Sequence, residues 1–255
     1  MIEVIKQVVA FEAIRSVTRS RLLVWFAIAA LPTVLMVMLQ SQARGRLPDE
    51  VVIEIAFRLV VQTGCMMGLL LWATPAVGSE VESQTWIYVA MRPAGRIAMV
   101  FGKYLVAVGW TILAGIPSSI GIAFASRVGD PLALAISLIG LVALASFSFA
   151  ALYVLIGVAF SRRATVFAVV YSLLVEGAVA RIPAAVCNIT VTYRLSSLLE
   201  HWLGIELPST AHMQLYVSPS PWQHIPTLAV YVIVLLTLAA AIIHRKEFAT
   251  EATSA

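Results

Sequence analysis

Positions 132–160 form one apolar run without a single charged side chain, and that run restricts the fold more than any motif in the chain. As a helix rising about 1.5 Å per residue it is long enough to cross a hydrocarbon core of about 30 Å. Inside that core no water satisfies backbone N–H and C=O groups, so only helices and closed barrels can span it. Shorter runs of the same kind recur along the sequence. Of the 255 residues 61% are apolar and 12% charged, against about 45–50% and about 25% in soluble domains. The chain reads as an all-α integral membrane protein, one domain over 1–255, with no length left for a separate soluble enzyme.

Six transmembrane helices are predicted at about 22–39, 55–77, 104–125, 132–160, 165–182 and 227–243. Positions 40–54 read as a polar loop. Ahead of the first span, Met1, Val4, Ile5, Val8 and Phe11 recur at helical spacing, with Glu3, Lys6 and Gln7 on the other arc. Residues 1–21 are thus an amphipathic N-terminal interfacial helix, lying on the membrane or packed on the bundle. Its apolar face breaks at Glu12 and Arg15, and Arg15, Arg19 and Arg21 form a basic collar. The charged residues scattered through it do not make a secretory signal.

Orientation follows from Lys and Arg, which concentrate on the cytoplasmic side of a membrane. Arg15, Arg19, Arg21, Arg92, Arg96, Lys103, Arg162, Arg163, Arg245 and Lys246 fall on one side, with Lys6. Arg44, Arg46, Arg58, Arg127, Arg181 and Arg194 fall on the other or toward it. Both termini and the 78–103 segment are therefore expected to face the cytoplasm. The net charge of +4 belongs to this topology and not to nucleic-acid binding, because the cations border apolar runs. Two cysteines, Cys65 and Cys187, make neither a disulfide framework nor a zinc site. The stretch 183–226 is long for a structureless loop. It reads as a re-entrant helical element between spans five and six, with a folded extracytoplasmic cap as the other reading.

The segment GSEVESQTWIYVAMRPAGRIAMVFGK, 78–103, separates two spans and carries Glu80, Glu82, Arg92, Arg96 and Lys103. Acids lie at its start and cations toward its end, which suits a helix macrodipole, and Pro93 disfavours helix at the residue before it. Glu80-Val81-Glu82-Ser83-Gln84-Thr85-Trp86, then Met91-Arg92-Pro93, Arg96 and Gly102-Lys103, resemble the segment between spans two and three of type-2 permease subunits of ABC transporters. Gln84 stands where many members carry Gly. The order of elements along the whole chain is similar to that family as well. The resemblance implies a coupling helix seated in a separate cytoplasmic ATPase, with Glu80, Glu82 and Thr85 on or before it and Arg92, Pro93 and Arg96 ending it. It also implies a second permease copy, identical or related, and two ATPase chains that bind ATP and magnesium.

This chain has no nucleotide site and no cofactor of its own: Ile97 stands where a phosphate-binding loop ending in Gly102-Lys103 needs glycine. Bilayer chemistry finds no support either. Asp49 and Asp130 lie in expected loops, the four histidines make no H-E-x-x-H, and span serines lack a base. Glu176 is the ionisable residue placed deepest in a span, a functional candidate for that reason. Arg181 and Arg58 are within its reach as cations, and the residue serves either an interhelical pair or a transported ligand. Gly64 and Gly68 make a small-xxx-small face, for a dimer contact or an internal crossing. The expectation is the permease subunit of an ATP-driven transporter, an exporter in a bacterial inner membrane surrounded by lipid. A channel or scaffold working without an ATPase is the alternative, favoured if the purified chain moves solute unaided.

Overall fold

The computed structural model describes residues 2–42, 48–75, 78, 80, 95–161, 163–179, 188, 190–205, 207–208 and 221–245. Over these the chain is helical: α1 (Ile2–Ser16), α2 (Arg19–Gln42), α3 (Asp49–Trp72), α4 (Gly95–Ala125), α5 (Pro131–Ala159), α6 (Ala164–Ala178), α7 (Val191–Leu203) and α8 (Pro221–Arg245). Five of them, α2, α3, α4, α5 and α8, are long and apolar enough to cross a membrane. The chain is membrane-embedded and all-helical.

The helix ends follow local chemistry. Asp130 caps α5, its carboxyl accepting from the Ala133 N–H at 3.1 Å, and Pro131 occupies the first turn, where a missing N–H costs nothing. Thr190 caps α7, and Gly204 closes it at φ 63°, a left-handed conformation that favours glycine. Pro32, Pro117 and Pro226 sit inside α2, α4 and α8, as membrane helices tolerate better than soluble ones.

Burial sorts the helices into centre and edge. In α4 and α5 56% of the most apolar window is buried, against 17% in α2 and α8. The axis is thus the α4–α5 pair, with Ile122, Leu138, Leu141, Val142, Phe149 and Tyr153 fully enclosed. Close crossings are made at glycines. A Cβ on Gly157 would meet the Thr74 carbonyl oxygen at 2.7 Å, and one on Gly121 would meet Thr33 Oγ1 at 2.5 Å. Gly115 abuts Val142 across the central pair. Where the driving force is packing rather than water exclusion, such small residues let backbones approach.

Two boundaries differ from expectation. Helix α3 begins at Asp49, inside the expected polar loop, because Glu54 and Arg58 pair one turn apart and allow the charged stretch to stay helical. Helix α4 begins at Gly95, nine residues before the expected span. Its 31 residues extend about 46 Å, well beyond a core of about 30 Å, so part of the helix stands outside the hydrocarbon. Of the expected fifth span, eight α-helical residues and then seven π-helical ones, Ser172–Ala178, are described, and positions 180–182 lie outside the described residues. A second π-helical stretch, Arg58–Cys65, lies within α3. Of 183–226, α7 and the first turns of α8 are described.

Candidate functional site

Four charged side chains meet where α1 crosses the first turns of α4. Lys103 Nζ lies 2.8 Å from Glu80 Oε1 and 3.7 Å from Glu12 Oε1. Arg15 Nη1 donates to the same Glu80 oxygen at 3.1 Å and lies 3.8 Å from Glu12. The Lys103 and Glu80 side chains are only 8% and 7% exposed, while Arg15, at 49%, reaches solvent. Among the described residues two acids and two bases meet here with their formal charges balanced. That balance matters, because an unpaired ion taken out of water costs several kcal/mol.

The sequence builds this meeting point locally. Glu12 and Arg15 are three apart on α1 and share a face, so the break in the apolar arc of the N-terminal helix is the face turned toward Lys103. Gly102, next to Lys103, lets α1 in: a Cβ there would meet Val8 Cγ1 at 2.5 Å. Val8 thus packs on the bundle while Phe11 stays 63% exposed, which divides the apolar arc between α4 and the surroundings. One turn further, Trp110 Nε1 donates to Ser16 Oγ at 2.6 Å, and Ser16 Oγ donates to the Ala13 carbonyl at 2.7 Å. Helix α1 is fastened along its second half.

Of the residues assigned to coupling, Glu80 enters this cluster, and Arg96 donates from Nη1 to the His244 carbonyl at 3.3 Å, in the last turn of α8. A guanidinium there sits at the negative end of a helix dipole. The start of α4 is thereby joined to the end of α8. Glu82, Thr85, Arg92 and Pro93 lie outside the described residues, as does Arg181.

Glu176 is 1% exposed, and among the described residues its carboxyl is held by two backbone amides and one hydroxyl. Its Oε1 accepts from the Val191 N–H at 3.2 Å and the Tyr171 hydroxyl at 3.3 Å; its Oε2 accepts from the Thr192 N–H at 2.9 Å. A carboxyl on α6 therefore occupies the N-terminus of α7, where free N–H groups and the helix dipole favour negative charge. Gln62, in the π-helical stretch of α3, donates to the Glu176 carbonyl at 3.2 Å and so bridges the two π-helical segments. Arg58 pairs with Glu54 on its own helix.

Gly68 faces Thr111 on α4, whose Oγ1 would lie 3.5 Å from an added Cβ, so this glycine serves an internal crossing. Gly64 and Gly68 also line a cavity of about 10 Å3 with Cys65 and Ser118, room for about one water molecule. Glu12, Arg15 and Lys103 stand out in the sequence only singly, the first two as the break in an apolar face and the third at the end of the 78–103 segment, and no spacing joins them into one site. No protein-family model and no curated protein matches this chain.

Proposed function

We propose that the chain is the permease subunit of an ABC transporter, an exporter of a bacterial inner membrane that works as a pair of permeases with two separate ATPases. The observation that carries the reading is the position of Glu80 at the head of the 78–103 segment, held by Arg15 of α1 and Lys103 of α4. A force applied to that segment acts at once on the interfacial helix and on a helix at the centre of the bundle. The second support is the chain's own order: an acidic start, Pro93 and a basic return between two apolar stretches, the pattern expected of a segment seated in a motor. ATP and magnesium belong to the partner ATPase in this reading. A packed core moved by such a lever changes between discrete arrangements rather than deforming continuously.

The test is affinity purification of the full chain from its native membrane. An ATPase carrying a phosphate-binding loop should co-purify and hydrolyse ATP. Reversing Glu82, with E82K, should weaken that association while the helical content stays unchanged. Purification without such a partner, together with solute movement by the chain alone, would reject the reading in favour of an autonomous channel.

A further inference from the structure

At the edge of the bundle α2 and α3 leave an indentation of about 140 Å3 lined by Arg21, Val24, Leu71 and Trp72. Arg21 is the first residue of one apolar stretch and Trp72 the last of the next, so the indentation lies at a membrane boundary. Its lining is divided. A guanidinium stands at one end, and below it are Val24 and Leu71, 40% and 49% exposed. Arg21 is exposed, and among the described residues no hydrogen bond or ion pair engages it, whereas Arg15 is taken up by Glu80. The Trp72 wall is held in place: its ring stacks on Trp110 at 6.3 Å between centroids and 13° between planes.

We propose that this indentation binds the headgroup of an anionic phospholipid, with Arg21 on the phosphate and the glycerol and upper acyl carbons along Val24, Leu71 and Trp72. An indentation of about 140 Å3 has room for a phosphate group and its glycerol carbon. The guanidinium fork presents paired donors to two phosphate oxygens. Among the described residues the lining holds a cation and no acid, so the cation of a zwitterionic headgroup gains nothing there, and a net negative lipid is favoured. The apolar walls favour a lipid over a free anion, which would leave Leu71 and Val24 uncovered. The inference rests on the membrane spans alone and stands or falls apart from any ATPase partner.

The experiment uses the purified full chain in detergent with equal amounts of phosphatidylglycerol and phosphatidylcholine, read by native mass spectrometry. The chain should retain phosphatidylglycerol preferentially, and R21Q should lower that preference about five-fold, the effect of one cation near an anionic surface. R19Q is the control: two residues away on a helix is about 200° around the axis, so it should leave the preference unchanged. L71W, which fills the indentation with Arg21 intact, should lower retention as well. In vesicles, dibrominated phosphatidylglycerol should quench tryptophan fluorescence more than dibrominated phosphatidylcholine, and W72F should remove that excess. Equal retention of the two lipids, or equal losses in R21Q and R19Q, would overturn the proposal. Displacement of the lipid by inorganic phosphate would reassign the site to a soluble anion. A change in oligomeric state with L71W at unchanged lipid retention would reassign it to a second copy.

Discussion

Lys103 Nζ and Glu80 Oε1 lie 2.8 Å apart with less than a tenth of either side chain exposed, so both ions are stabilised by charged partners more than by water. Removing Lys103 alone leaves Glu80 with Arg15 and the charges out of balance, a loss of up to about 3–5 kcal/mol, whereas removing both partners of a buried pair is often neutral. K103M should therefore lower thermal stability, read by loss of helical circular dichroism, and E80L/K103M should recover most of it. Additive losses in the double variant would show that the two side chains act separately.

Glu176 supports α7 from a neighbouring helix. In E176A the amides of Val191 and Thr192 lose their acceptor, and an unsatisfied buried donor costs about 1–3 kcal/mol. Hydrogen–deuterium exchange should accelerate over the first turn of α7 and leave the centre of α5 unchanged. E176Q keeps one acceptor oxygen and should fall between E176A and the parent. Protection in E176A equal to the parent would remove the carboxyl from the capping role.

Gly102 admits α1. Because a Cβ at this position would meet Val8 at 2.5 Å, G102V should displace the N-terminal helix, with an overpacking cost of about 1–3 kcal/mol. The readout is proteolysis within α1, faster in G102V and slowed again in G102A/V8A. Unaltered cleavage in G102V would mean that the two helices do not meet there.

The bond from Arg96 to the His244 carbonyl puts the end of α8 beside the start of α4, and α1 crosses that same start. Single cysteines at Lys6 and Arg245, in a background where the native cysteines are replaced, should react with an impermeant maleimide from one side of the membrane. A cysteine at Asp130, at the opposite end of α4 and α5, should react from the other. Labelling of Lys6 and Arg245 from opposite sides would contradict the bundle.

Spans were legible wherever lipid imposes one demand on every residue of a segment. The start of α5 shifts by one residue from the apolar run, since Asp130 caps the helix and Pro131 fills its first turn. The demand lapses outside the hydrocarbon. There a polar composition no longer distinguishes loop from helix, and so Asp49–Glu54 and Gly95–Lys103 were read as connections although both are helical. Glu176 stood out for its depth, but its donors, the Val191 and Thr192 amides, follow fifteen and sixteen residues later. No local pattern announces such a pairing. Gly64 and Gly68 were visible as a small-residue face; which helix filled it was not.

The order of amino acids by itself determined that this chain enters a membrane, that it does so as helices, and roughly where they run. The reason is one-dimensional: a continuous apolar length must match a bilayer, whatever the rest of the molecule does. Only the tertiary structure decided which acid meets which base, that Glu12 and Lys103 join Glu80, and that Glu176 turns to a helix end. Those choices depend on separations of about 3 Å between groups far apart in sequence, and distances of that kind exist only once the helices have packed.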